Sequence, residues 1–350
     1  MDGMVEKNLD LRSDTVTLPT PEMREAMARA ELGDDVYGED PTVNRLERLA
    51  AEKLGKEAAL LVTSGTQGNL VSILAHTRRG DEIILEAESH TYLYEVGGYA
   101  VIGGLTARPV RGERGWMRPE DVEAAIRPPN IHYPRTGLIC VENTHNRAGG
   151  IPLTPEQLEA DWEVAKRYGL PVHMDGARVF NAAVALRVDV KELARYADSV
   201  MFCLSKGLSA PIGSLVVGSE EFIERARKYR KMMGGGMRQA GVIAAPGIIA
   251  LTKMVDRLEE DHENAKLLAD GLREMGIRIL HPVRTNMVYI DVSPLGWSGE
   301  DWKKACAELG WRSHGGANSP IVRLVTHYGI EREDVEELLD GLKRLIPKRV

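Results

Sequence analysis

The stretch His173-Met174-Asp175-Gly176-Ala177-Arg178, followed by Phe202-Cys203-Leu204-Ser205-Lys206-Gly207, decides how this chain is read. Residues 171–174 form a short apolar run, and Asp175 stands just past it. Residues 200–204 form the next such run, and Lys206 stands just past that one. Short apolar runs with little alternation suit strands buried on both faces. Working outward, the spacing predicts further strands at Ala58–Val62, 82–85, 138–141 and 215–217, and helices over 67–78 and 155–168. The second helix opens with Thr154 as N-cap and Pro155 at its first position. Strand–helix alternation of this kind implies an α/β domain with a mainly parallel sheet and helices on both faces. In such sheets chemistry collects at the carboxyl ends of the strands. A parallel arrangement would therefore bring Asp175 and Lys206 to one edge.

A chain of 350 residues suggests more than one domain. The pattern divides into an N-terminal arm (1–20), a large domain (21–250) and a small α+β C-terminal domain (251–350). A long helical pattern over 241–275 would link the two domains. The small domain should run strand (287–291), helix (301–309), strand (321–326) and helix (333–345). Hydrophobic residues make up 43% and charged residues 28%, the balance of a globular protein. The net charge of −7 carries no basic stripe, so no nucleic-acid partner is expected. No run approaches the ~18 apolar residues of a membrane span, and Met1 to Leu9 contains no signal-peptide core. Cys140, Cys203 and Cys306 lack metal-ligand spacing and read as small core residues in a reducing cytoplasm.

Taken singly, Asp175 could be a turn residue and Lys206 a solvated charge. Jointly, a carboxylate and an amine at neighbouring strand ends match what pyridoxal 5′-phosphate (PLP) requires. The amine bonds the cofactor's aldehyde, and the carboxylate keeps the pyridine nitrogen protonated so that the ring accepts electrons. Ser64-Gly65-Thr66-Gln67 lies between a strand and a helix. By itself this is an ordinary turn, and no Gly-Lys-Ser/Thr follows to make it a Walker sequence. Beside the Asp–Lys pair, Gly65 and Thr66 become a natural phosphate cup at a helix start. His90 follows a strand and an acidic turn, where a flat side chain could cover the ring. His145, in Glu142-Asn143-Thr144-His145-Asn146, could hold or deprotonate a substrate hydroxyl, or could be structural. Arg178, Arg238 and Arg323 are candidates for anions. Arg323 stands in an apolar strand, where a carboxylate is its best bidentate partner.

These residues, with Leu11-Arg12-Ser13-Asp14-Thr15-Val16-Thr17 and Gly33-Asp34-Asp35-Val36-Tyr37-Gly38-Glu39-Asp40-Pro41-Thr42, resemble the low-specificity L-threonine aldolase family of PLP fold type I, the aspartate aminotransferase-like group. The resemblance continues to Arg323-Leu324-Val325-Thr326-His327 and spans nearly the whole chain. It implies retro-aldol cleavage of L-threonine or L-allo-threonine to glycine and acetaldehyde. It also implies the following roles. Lys206 bonds the cofactor and Asp175 faces its pyridine nitrogen. His90 stacks on its ring, and Gly65 and Thr66 hold its phosphate, with Arg238 helping from a neighbouring subunit. Ser13, Arg178 and Arg323 hold the substrate carboxylate. His90 and His145 lie near the β-hydroxyl, whose base is His90, His145 or an ordered water. A cytoplasmic homotetramer, a dimer of dimers, is the expected assembly. Leu93 departs from relatives that carry a bulkier aromatic there. The alternatives are another PLP lyase of the same fold, which would release ammonia and a keto acid, and an inactive binding module, against which Lys206 counts. An NAD-dependent dehydrogenase would need a glycine fingerprint that this chain lacks.

Overall fold

In the computed structural model, which describes Lys7 and residues 9–349, the apolar runs become strands. They are β1 (Ala58–Val62), β2 (Glu82–Glu86), β3 (Thr106–Val110), β4 (Thr136–Glu142), β5 (Val172–Asp175), β6 (Ser199–Cys203), β7 (Ser214–Gly218), β8 (Arg278–Ile279), β9 (Met287–Asp291) and β10 (Ile321–Val325). The first seven form one sheet in the order β1-β7-β6-β5-β4-β2-β3. Only β7 runs against its neighbours, so the sheet is mainly parallel, as the alternation predicts. Strands β2, β4, β5, β6 and β7 are buried along their full lengths, which is why they read as continuous apolar runs. Strand β3 was not anticipated. It is half-exposed, contains Pro109 and lies at the sheet's edge, where a missing N–H is tolerated.

The register places the chemistry. Glu142 pairs with Asp175 across β4 and β5, and Asp175 with Met201 across β5 and β6. Glu86 ends the parallel neighbour β2. Four strand ends therefore deliver three carboxylates and, past β6, Lys206 to one edge. The helix Gly65–His76 lies against this sheet because it is apolar nearly all round, with Gly68 to Ala75 buried. A Cβ at Gly68 would stand 2.5 Å from Met201 Cγ, so only glycine allows so close an approach. The helix Pro155–Arg167 starts with a full capping box between Thr154 and Gln157, worth about 1 kcal/mol.

Strands β8, β9 and β10 form a separate antiparallel sheet. It packs on the helices Leu258–Glu274, Gly299–Glu308 and Arg332–Arg349 to build a second core around Trp302 and Leu324. The expected helix over 241–275 is two helices, Gly241–Lys253 and Leu258–Glu274, interrupted at residues 254–257. The acidic first turn Glu259-Glu260-Asp261 marks the fresh N-terminus, where the helix dipole favours negative charge. Met254 and Leu258 belong to the large core and Ala265 onward to the small one. The expected arm, 1–20, begins in residues outside the described ones. Leu9 and Leu11 join the small core: Leu11 is fully buried there, and its N–H donates to the Arg312 carbonyl at 2.8 Å. All three cysteines are buried and free. Among the described residues, no helix is long and apolar enough to cross a membrane.

Candidate active site

Asp175 ends β5 and is 4% exposed. Its Oδ1 accepts from the Ala177 N–H at 3.1 Å, and its Oδ2 accepts from Asn69 Nδ2 at 2.9 Å. Lys206 lies in the turn after β6. Its carbonyl accepts from Thr17 Oγ1 at 3.0 Å and from the Ser209 N–H at 2.9 Å, which pins the backbone. Its ammonium has no hydrogen-bond or ion-pair partner among the described residues. The Lys206 charge nevertheless reaches Asp14 and His90.

The first-turn amides of Gly65 and Thr66 open the helix Gly65–His76, and the Ser64 hydroxyl is used on the Gln67 N–H at 3.2 Å. A Cβ at Gly65 would come within 2.9 Å of Cys203 Sγ, so this helix start lies close against the sheet. Arg238 is half-exposed, and its guanidinium pairs with Asp34 at 3.1 Å. Ser13 caps the short turn Asp14–Val16, accepting from the Thr15 N–H.

His90 Nδ1 lies 3.0 Å from Glu95 Oε1, and the His90 N–H donates to Glu142 Oε2 at 2.5 Å. Burial opposes charge on the His90 imidazole, but Glu95 and Asp175 outweigh it and raise its pKa. Burial, reinforced by Asp175, raises the Glu95 carboxyl, and burial raises that of Glu142. One cleft of about 750 Å³ is lined by His90, Tyr94, Asn146, Tyr289, Ile321 and Arg323, among others. It lies where the large sheet's edge faces the small sheet.

Two expectations need correcting in detail. His145, expected near a substrate hydroxyl, is 1% exposed. Its Nε2 faces Glu86 Oε2 at 2.9 Å, and its Nδ1 accepts from the Ala148 N–H at 3.2 Å. With both nitrogens committed, it holds Glu86 instead of facing the cleft. Arg178, expected on the substrate carboxylate, gives Nε and Nη2 to Asp14 at 2.7 and 2.6 Å. This pair is buried and draws the Asp14 carboxyl far below its usual range despite desolvation. Only Nη1 of Arg178 remains. Arg323 differs: Nη1 donates to Asn146 Oδ1 at 2.7 Å and Nη2 to the Arg12 carbonyl at 3.2 Å, both neutral acceptors. Burial and the nearby Arg178 charge lower its pKa, against the pull of Tyr289 and Asp14, and no acid is hydrogen-bonded to it among the described residues.

Sequence reasoning missed Asn69, Glu95, Glu142 and the pairing role of Asp14. Asn69 left one trace, a polar side chain inside an apolar helix; it is fully buried. Glu95 and Asp14 left none, since an acid in a polar segment reads as solvated.

Residues 10–294 match the beta-eliminating lyase family. The chain is 49% identical to low-specificity L-threonine aldolase 1 of Arabidopsis thaliana over 343 residues, covering 96% of each chain. It is 48% identical to the low specificity L-threonine aldolase of Escherichia coli strain K12, covering 94% of this chain and 97% of that one. Among solved structures, threonine aldolase from Leishmania major superposes with a TM-score of 0.82 at 22% identity, covering 96% of this chain and 99% of that one, a likeness of fold.

Proposed function

The chain belongs to the beta-eliminating lyase family, and we propose that it is a PLP-dependent aldehyde-lyase that cleaves L-threonine and L-allo-threonine by retro-aldol reaction to glycine and acetaldehyde. The observation that carries this reading is the delivery of Asp175 and Lys206 to one sheet edge, with an amine that has no partner among the described residues. The residues fit the cofactor. Gly65 and Thr66 offer first-turn amides to a phosphate, and Asp175 keeps lone pairs free for a pyridinium N–H. Lys206 would bond the aldehyde. Arg238 would reach the phosphate from a neighbouring subunit. When bound, PLP supplies the electron sink for the carbanion left as the Cα–Cβ bond breaks.

The chain's own residues do the rest. Arg323 binds the substrate carboxylate in the planar, bidentate geometry of a guanidinium, with Ser13 and Arg178 Nη1 beside it. That clamp would fix the orientation of the substrate about Cα, and so select the bond that breaks. His90 is the imidazole next to Lys206 and Asp175. With Nδ1 held by Glu95, its Nε2 is the atom left to take the β-hydroxyl proton and to return one afterwards, a role that the Glu95 contact supports. His145 acts through the carboxylates of Glu86 and Glu142. A homotetramer in the cytoplasm belongs to the same reading.

Mixing the protein with PLP and L-threonine or L-allo-threonine tests this. Glycine and acetaldehyde in equal amounts are expected. Ammonia and a keto acid instead would identify a β-eliminating reaction and overturn the aldolase reading.

A further inference from the structure

Behind Asp175 runs a line of buried polar groups that the reaction itself does not use. Asn69 Nδ2 lies 2.8 Å from Glu95 Oε1 and 2.9 Å from Asp175 Oδ2. Asn69 Oδ1 lies 3.0 Å from His173 Nε2. His173 Nδ1 lies 2.8 Å from Ser199 Oγ, and Ser199 Oγ lies 2.8 Å from His76 Nε2. Asn69, His173 and Ser199 are each at most 1% exposed.

Chemistry permits one direction along this line. Two carboxylates can only accept, so the Asn69 amide N–H groups must face them. Its oxygen must then accept from His173 Nε2–H. Burial depresses the His173 pKa to about 4, so the ring is neutral and its Nδ1 is bare. Ser199 spends its single proton on that Nδ1. Its oxygen is then left to accept from His76 Nε2–H, on a ring that burial also keeps neutral, with its pKa lowered to about 3. His76 is itself clamped by stacking on Phe222, with centroids 4.5 Å apart. Every member is satisfied, and reversing any one would set acceptor against acceptor or donor against donor.

The line ends where two negative groups crowd together. Ligand atoms of His90, Glu95 and Asp175 lie within 4.8 Å of one another. We propose that Asn69 is a positioning residue for both carboxylates: its amide, aimed by the His76–Ser199–His173 chain, donates to Glu95 and Asp175 at once, and so keeps Glu95 charged to hold His90 by Nδ1. The catalytic meaning of this device rests on the reading that His90 serves the reaction at Lys206. The charged and titratable groups facing His90 are Glu95 and Asp175, which favour its cation, and Lys206, which opposes it; Glu142 takes its backbone N–H, and the Tyr94 ring lies 5.5 Å away. Glu95 faces His90, Asn69, Asp175 and the Cys140 thiol, which burial holds neutral. Without its N–H donors, burial and Asp175 would drive Glu95 to take up a proton, and His90 would lose its anion.

The test is the titration of His90 in the full-chain protein, followed by NMR of labelled histidine with and without PLP. The His90 signal is assigned by its loss in His90→Asn. Glu95→Gln should lower the His90 midpoint by about one pH unit, the usual effect of losing one adjacent opposite charge. Asn69→Ala should lower it by a similar amount although Glu95 is still present, an effect that mere packing would not produce. Ser199→Ala, remote from the cleft, should shift it the same way by less, and this variant decides the matter if Asn69→Ala does not fold. The acid limb of the kcat/KM profile should follow each shift. A His90 midpoint unchanged in Glu95→Gln, in folded Asn69→Ala, or in Ser199→Ala where that variant stands in, overturns the proposal. The titration needs no substrate. Shifts in an enzyme that makes no glycine would keep the network and cost only the aldolase reading; glycine without the shifts would do the reverse.

Discussion

The two walls of the cleft treat buried charge in opposite ways. Along the edge of the large sheet each carboxylate has its donors: Asp175 has Asn69 and the Ala177 N–H, Glu142 has the His90 and Asn146 N–H groups, Glu86 has His145, and Asp14 has Arg178. On the wall built by the small sheet, Arg323 donates, among the described residues, to neutral oxygens. A buried charge costs several kcal/mol unless it is paired. The first wall is therefore finished within the chain, whereas the second is left open to an anion, as the proposed function requires. Unsatisfied charge points to the ligand; satisfied charge points to the scaffold.

Four measurements would break or sharpen that contrast. The largest effect belongs to Lys206→Ala, because its ammonium has no partner among the described residues and stands at the sheet edge. Turnover and the visible band of lysine-bound cofactor should both be lost, and wild-type values of either would remove Lys206 from its role. Next comes Arg323→Lys. A point charge cannot reproduce the bidentate fork, so kcat/KM should fall by about 2–5 kcal/mol, with the spectrum of the resting enzyme intact. Unchanged steady-state kinetics would place Arg323 with the scaffold.

Arg178→Met should act chiefly on stability. It leaves Asp14 buried without its partner, a loss of about 3–5 kcal/mol, read as a lower denaturant midpoint. A rise in KM through the loss of Nη1 should accompany it, and a variant of wild-type stability would show that the Asp14 pair does not hold the scaffold. The smallest effect on turnover, none, is expected from Asp161→Asn. Asp161 is 1% exposed and its carboxylate oxygens have no well-formed hydrogen bond among the described residues. Burial, offset only in part by the Trp116 indole, raises its pKa to about 8. The folded state therefore holds a proton that the unfolded chain releases near pH 4. Stability tied to that proton is present below about pH 4 and is lost as pH rises toward about 8, at about 1.4 kcal/mol per unit. A neutral amide at this position carries no such slope, so the variant's melting temperature should gain on wild type steadily from about pH 4 to about pH 8. Parallel melting curves would mean that Asp161 is hydrated or paired.

Most elements were legible because local signals and tertiary demands agree. Fully buried strands read as apolar runs, and Thr154-Pro155 reads as a helix start whichever way the helix packs. Legibility failed where a neighbour distant in sequence decides. Strand β3 exists because β2 offers an edge to a half-exposed segment that contains a proline. His145 stood directly after β4 and so looked catalytic, but the ring turns toward Glu86 at the end of β2.

Sequence by itself determined the alternation that makes a mainly parallel sheet, the strand-end positions of Asp175 and Lys206, and the glycine that lets a helix start lie against that sheet. These follow from periodicity and backbone sterics, which act over a few residues. Only the tertiary structure decided which charges are spent. Asp14 meets Arg178 across 164 positions, Asn69 meets Asp175 across 106, and Arg323 pairs with no acid among the described residues. The reason is that electrostatic pairing depends on distance through space and on the loss of water around each pair, and neither is written in the order of the residues.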